Sequence, residues 1–127
     1  MNVILSIKPC FCKLIFEGVK CCEYRKRVFK RNDIDKVYVY ASKPICKVIG
    51  YFTVGGIIND TVSNVWDMTH EYGGIDRGYY DSYFNGYDIA HAIKIEDARL
   101  FDIAIDPKNV LNNFHAPQNF MYCDIEL

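Results

Sequence analysis

Residues 47–58 read KVIGYFTVGGII. β-Branched and aromatic side chains dominate the segment, which favours extended backbone. Twelve residues is about twice an ordinary strand, and Gly50 and the Gly55–Gly56 pair fall inside it. A glycine inside a strand weakens a flat sheet and suits a bulge or a sharp bend. The segment therefore predicts a long strand that turns a corner, as in a small barrel, and the remaining elements have to be compatible with that bend.

Several are. NVILSIK (2–8) is apolar and β-branched and reads as a first strand. Pro9 suits the first turn of a helix, Phe11, Leu14 and Ile15 share one face at i, i+3, i+4, and Gly18 stands where a helix stops. That helix spans about 10–17. Residues 20–28 read as a second strand and RNDID (31–35) as a turn. KVYVYAS (36–42) is apolar on both faces and so central in its sheet. Asp60 or Thr61 caps a helix that Gly73–Gly74 ends. Asp76 caps another, with Tyr80, Tyr83 and Phe84 inward and Gly86 closing it. DIAHAIKI (88–95) and ARLFDIAI (98–105) read as fifth and sixth strands. DPKNVLNNF (106–114) opens with a cap and a proline and reads as a short helical turn, and the tail from Ala116 offers an edge strand. No repeat, linker or low-complexity segment divides the 127 residues, so the expectation is one α+β domain (1–127). Its sheet is a small barrel of about six mostly antiparallel strands with three to four short helices.

Half of the residues are apolar and 15% aromatic, which excludes a disordered chain. No apolar run is long enough to span a bilayer, and MNVILSIKPC lacks the basic start of a signal peptide. The expectation is a cytoplasmic protein without membrane contact. Six cysteines, at 10, 12, 21, 22, 46 and 123, occur as C-x-C and C-C rather than C-x2-C. That spacing argues against a zinc site and for reduced thiols packed as small hydrophobes. No metal and no cofactor are expected. The net charge of −1 conceals a division: residues 1–47 hold eleven Lys and Arg against four Asp and Glu, and residues 48–127 hold four against twelve. A basic half of this kind marks a surface for an anionic partner.

The basic half concentrates on EGVKCCEYRKR (17–27). Lys20 follows the glycine that stops the helix, so its backbone is fixed at a strand mouth. There it can meet phosphate as a point charge, or act as nucleophile or base if its pKa falls. Alternation puts Cys21, Glu23, Arg25 and Arg27 on one strand face and Cys22, Tyr24 and Val28 on the other. Glu23 and Arg25, roughly 6.5–7 Å apart along the strand, either form a structural pair or contact a ligand together. A carboxylate accepts from a base amino group, and a guanidinium offers a planar fork to phosphate. Lys8 ends the first strand and is either solvated or turned to the same cleft; Arg27, Lys30 and Arg31 extend a positive rim. His91 shares a face with Ile89, Ile93 and Ile95 and reads as a core histidine with one hydrogen bond. Tyr80 and Tyr83 read as core, and Tyr51, Tyr79 and Tyr87 as candidate stacking platforms. Ser6 and Cys21 have no His-centred nucleophile arrangement around them.

Four stretches occur in an order that is similar to a known family. LSIKP opens the chain, and G-V-K-C-C-E-Y-R supplies a G-x-K-x-x-E-x-R pattern. VYVYAS-x-P and KVIGYF follow, and YFNGYDIAHAIKI and APQNFMY close the series. Together they resemble the ASCH domain of the PUA-like superfamily, in its small single-domain prokaryotic and phage form, over nearly the whole chain. The resemblance implies a PUA-like β-barrel and a ligand that is RNA, a nucleotide or a modified nucleoside. It implies ligand binding by Lys8, Lys20, Glu23, Arg25 and Arg27 at the barrel mouth. Acetylcytidine amidohydrolases, which are similar in fold, use a Lys, a Thr and a Glu. Lys20 matches the Lys, Glu23 stands where the Thr would be, and Glu71 is a candidate for the third. Two functions follow as expectations: a nucleic-acid or nucleotide binding module, or a small hydrolase, of the amidohydrolase or ribonuclease kind, using Lys20 and Glu23. A module that docks to a protein partner is a third.

Overall fold

The computed structural model describes residues 1–127. In chain order the elements are β1 (Asn2–Ile7), α1 (Pro9–Phe16), β2 (Cys22–Arg25), β3 (Val37–Ala41), β4 (Lys47–Thr61), α2 (Val62–Thr69) and α3 (Arg77–Tyr83). They are followed by β5 (Ile89–Ile105) and β6 (Phe120–Cys123), and single 3-10 turns occur at His70–Tyr72 and Pro107–Asn109. The strands form one six-stranded sheet in the order β2-β5-β4-β3-β1-β6. β1 and β3 run parallel, with Val3 beside Val37 and Ile7 beside Ala41, and the other neighbours are antiparallel.

The expected closed barrel is not what forms. β2 and β6 are the two edges of the sheet and share no ladder. Each edge strand is only four residues long, which leaves little backbone to zip a seam. The seam is instead spanned by a side chain: the Arg25 guanidinium, on β2, donates to the Ser6 carbonyl at 3.1 Å and to Asn119, just ahead of β6, at 2.6 Å. The sheet is open, and its gap is crossed by the hydrogen bonds of Arg25 together with that from Asn119 Nδ2 to the Arg27 carbonyl.

The bend lies where the glycines indicated. β4 and β5 form a long hairpin whose register shifts between Val48 and Gly50, between Tyr51 and Thr53, and between Val54 and Ile57. β5 was expected as two strands, 88–95 and 98–105, and is one of 17 residues. Asp97, at φ 48°, takes up the left-handed conformation as a bulge residue without ending the ladder, so a residue with the character of a turn does not make one. The segment 106–114 forms only the 3-10 turn Pro107–Asn109 rather than a longer helical turn.

β3 is buried along its whole length, as its two apolar faces require. Val37, Val39 and Ala41 join Val3, Leu5 and Ile7 of β1, Cys12 and Ile15 of α1, Phe29, Phe52 and Ile93 in the main core. Tyr38 and Tyr40 face the other way, with Ile4, Val48, Phe114 and Cys123. A third cluster seats α2 and α3 on the sheet: Val65, Tyr80 and Phe84 against Cys22, Tyr24, Ala90 and Ala92. Burying each Val, Leu, Ile or Phe among them contributes about 1.5–3 kcal/mol. Both helices are capped as the sequence indicates, Thr61 accepting from the Asn64 amide and Asp76 from the Tyr79 amide. No helix is long and apolar enough to cross a membrane.

Candidate functional site

Lys20 belongs to the turn between α1 and β2: the strand expected over 20–28 spans only Cys22–Arg25, and Lys20 lies two residues ahead of it. Gly18, at φ 79°, reverses the chain after α1, and the amides of Val19 and Lys20 both donate to the Leu14 carbonyl at 3.0 Å. The Cys21 amide then donates to the Tyr72 carbonyl at 2.8 Å. This fixes the Lys20 Cα between α1 and the loop that follows α2, and the side chain is directed inward. Lys20 is 2% exposed. A bare ammonium at that depth would be strongly unfavourable; here Nζ donates to the Gly73 carbonyl at 2.7 Å. It stands 3.6 Å from Glu23 Oε1 and lies over the rings of Phe11 and Tyr24 at 5.3 and 4.9 Å. The glycine pair at 73–74 ends a helical stretch, as expected, and also covers this lysine. Gly74 has φ 73°, and a Cβ there would stand 2.7 Å from Lys20 Cβ.

Glu23 and Arg25 lie on one face of β2 as alternation requires, and Cys22 and Tyr24 on the other pack beneath α2 and α3. Glu23 is 5% exposed. Its Oε2 accepts from Arg25 Nη1 at 3.2 Å; its Oε1 makes no hydrogen bond yet is not among the fully enclosed polar atoms, so it opens to the cleft. Arg25 donates from Nε to Asn119 Oδ1 at 3.0 Å and from Nη1 to the Ser6 carbonyl and Glu23. Nη2 donates to Asn119 Oδ1 and the Asn119 carbonyl at 2.6 and 3.4 Å. A guanidinium has five N–H donors, and all five are engaged. Arg25 therefore fixes Glu23 and the seam, with no donor left for a ligand.

Above these three residues lies a cleft of about 460 Å³, within the range of about 300–1,000 Å³ usual for small-ligand sites. Lys8 and Lys43, both exposed, stand at its mouth. Lys8 is the N-cap residue of α1 rather than a strand end, and its Nζ donates to the Tyr79 hydroxyl at 3.3 Å. One wall is aromatic: Phe11 meets Tyr79 edge-on at 5.3 Å, and Tyr79 and Tyr83, one turn apart on α3, are near-parallel at 6.5 Å. Tyr83, expected in the core with Tyr80, is half-buried against the Tyr80–Phe84 cluster and also lines the cleft with Glu23 and Arg25. Burial pushes its phenol upward from the usual value. Ser6, Tyr40, Ser42 and Gln118 complete the polar lining. Apart from Ser6, neither these residues nor Lys43, Tyr83 and Asn119 were expected at the site, although all of them lie in stretches that the sequence singles out. They come from the turn after β3, the outer face of α3 and the segment before β6, and only the fold brings them together.

Arg27 lies outside this cleft. With Lys26, Lys30 and Arg31 it borders a second concavity of about 950 Å³. Its floor includes Phe29, Phe120 and Tyr122, with Asn59 and His91 at the side. His91 is half-buried, bonded through Nδ1 to Asn59 Oδ1, and burial lowers its pKa. Glu71 is exposed in the 3-10 turn and does not line the cleft. Tyr79 lines the cleft, whereas Tyr51 packs on Tyr38 and Phe101 and Tyr87 lies by Lys26. The six cysteines are free thiols, three of them buried. Burial, with Glu23 nearby, pushes the Cys12 thiol up to about 12.

The fold that holds this cleft recurs in known proteins. A family model described as the ASCH domain matches residues 5–99. Among curated proteins the chain is similar to an ASCH domain-containing ribonuclease of Zymomonas mobilis, 27% identical over 123 residues, covering 95% of this chain and 83% of that one. It is also similar to a large ribosomal subunit protein uL22 of Ureaplasma parvum, 25% identical over 123 residues, of which it spans 39%. The crystal structure of the Zymomonas mobilis ASCH protein superposes with a TM-score of 0.89 at 26% identity, over 96% of this chain and 87% of that one. A tyrosine-to-phenylalanine mutant of it superposes at 0.90 and 25%, over 96% and 89%.

Proposed function

Because the chain belongs to the ASCH domain family, we propose that it acts on RNA and holds one nucleotide of a single strand in the cleft above Lys20 and Glu23. The observation that carries this reading is the composition of that cleft: exposed ammonium groups at the mouth, an aromatic wall, and a buried carboxylate with one oxygen open to the cavity. Single-stranded RNA is recognised by stacking of splayed bases on aromatic rings and by cations on its phosphates. Tyr79 and Tyr83 supply the wall, Lys8 and Lys43 the phosphate contacts, and Glu23 Oε1 an acceptor for a base amino group or a ribose hydroxyl. Arg25 positions Glu23, and Lys20 balances its charge.

A second reading, cleavage of the bound strand, is favoured by the pairing of a buried ammonium with a buried carboxylate that keeps one oxygen open to the cleft, and by the ribonuclease similar to this chain. In this reaction Glu23 Oε1 accepts the proton of a ribose 2′-hydroxyl. The ribose 2′-oxygen bonds to the adjacent phosphorus while the bond from phosphorus to the 5′-oxygen of the next nucleotide breaks. The leaving oxygen takes a proton from water, and a 2′,3′-cyclic phosphate remains. Lys20 and the lysines at the mouth offset the charge that builds on the phosphoryl oxygens.

The test is fluorescence anisotropy with a labelled single-stranded RNA pentamer over a salt series, together with a cleavage assay. Binding weakens as salt rises, and Tyr79→Ala weakens it by about 1–3 kcal/mol. Glu23→Gln slows cleavage by about 100-fold or more. Absence of binding at low salt overturns the reading. Turnover of acetylcytidine with RNA left intact assigns Lys20 and Glu23 to amidohydrolase chemistry instead.

A further inference from the structure

The second concavity has a composition of its own. Lys26, Arg27, Lys30 and Arg31 follow β2 directly and form its rim, and the aromatic residues Phe29, Phe120 and Tyr122 lie between them. The four cations are not equivalent. Arg31 is engaged by Asp33 at 2.6 and 2.8 Å and covers the Tyr122 ring at 5.7 Å. Arg27 and Lys30 are exposed and form no ion pair. Lys26 has no carboxylate partner either; its ammonium lies over Tyr83 at 4.6 Å and Tyr87 at 5.0 Å.

Lys26 and Tyr83 also connect the two hollows. Tyr83 lines the first and Lys26 the second, so the contact between them is a shared border. Beneath that border Asn119 joins the same two regions. Its Oδ1 accepts from Arg25, which lines the first cleft, and its Nδ2 donates to the carbonyl of Arg27, which lines the second, at 3.3 Å. A strand leaving the first cleft over Tyr83 thus meets a ready-made positive border and then the partly exposed rings of Phe120 and Tyr122, the two components that a sequence-tolerant single-strand track combines.

Resting on the reading of the cleft as an RNA site, we propose that the concavity bordered by Lys26, Arg27 and Lys30 is a second subsite that binds the phosphate backbone of single-stranded RNA flanking the nucleotide in the cleft. It makes the preferred ligand a strand of about four nucleotides or more rather than a free nucleotide. The patch contributes affinity and register, and the cleft contributes selection of the nucleotide.

The test compares a single-stranded RNA decamer with a 5′-mononucleotide, on the wild-type protein, on Arg27→Ala/Lys30→Ala and on Lys43→Ala. Arg27 and Lys30 are exposed and unpaired, so the double variant keeps the wild-type melting temperature. Expected is a decamer affinity at least tenfold above that of the mononucleotide. In the double variant that advantage falls toward unity, and the slope of log affinity against log salt becomes shallower by about 1.4, from about 0.7 per phosphate contact. Mononucleotide binding stays unchanged there and weakens in Lys43→Ala. A decamer that binds the double variant with wild-type affinity and slope overturns the second subsite and leaves the cleft reading standing. Absence of binding by either RNA overturns both. Binding of poly-glutamate as tight as that of the decamer assigns the patch to acidic protein and overturns it as an RNA track.

Discussion

Glu23 connects two cations that have very different freedom. Lys20 is enclosed and has one carbonyl, one carboxylate oxygen and two ring faces around it. Arg25 has every donor engaged. Removing the carboxylate leaves an ammonium that is only 2% exposed without its counter-charge. Breaking one partner of a buried pair typically costs about 3–5 kcal/mol, so Glu23→Ala should destabilise the protein by that order in urea unfolding. Glu23→Gln, which keeps a hydrogen-bond acceptor, should cost less. A loss under about 1 kcal/mol for Glu23→Ala would mean that the pair is solvated. Half of this arrangement was legible in the sequence. Strand alternation placed Glu23 and Arg25 together, and the glycine before Lys20 marked a fixed backbone. That Gly74 packs on Lys20, and that Asn119 occupies Arg25, were not legible, because both contacts join residues more than fifty positions apart.

At the scale of elements, the seam between the edge strands is the informative feature. The glycines of β4 announced a bend correctly, and a bend usually accompanies closure. Closure needs an edge long enough to pair, and β2 and β6 have four residues each; no local pattern shows that the final gap is spanned by a guanidinium. Asn119 carries much of this bridge. Asn119→Ala removes the Oδ1 that accepts from two Arg25 nitrogens and the Nδ2 bond to the Arg27 carbonyl. Leaving those donors unpaired should cost about 1–3 kcal/mol and raise amide hydrogen exchange in β2 and β6 above that in β3. Unchanged exchange at both edges would show that main-chain packing alone holds the seam. α3 gives the same lesson in smaller form. Helical spacing identified Tyr80, Tyr83 and Phe84 as inward; Tyr83 packs on that cluster yet also borders the cleft, a second role that depends on where β2 lies.

For the whole molecule, the charge division in the sequence has a spatial counterpart: every Lys and Arg that lines the two hollows comes from residues 1–47. Titration of the interior gives a second global property. Burial raises the pKa of Cys12 to about 12 from 9.0 and of Tyr80 to about 12 from 10.0, and raises those of Cys22 and Tyr24. Each of these groups holds its proton more tightly folded than unfolded. Their contribution to stability is therefore complete below about pH 9 and is lost as pH rises through the folded values. The melting temperature should be level from neutral pH to about 9 and fall steeply beyond it. A level profile through pH 11 would show that these side chains are hydrated. The central claim is that RNA enters the cleft above Lys20 and Glu23, and the most direct measurement is an amide NMR titration with a single-stranded RNA oligonucleotide. The account predicts that the largest shifts fall at residues 20–25, 42–43 and 79–83; shifts confined to the outer end of the β4–β5 hairpin, with those residues unmoved, would contradict it.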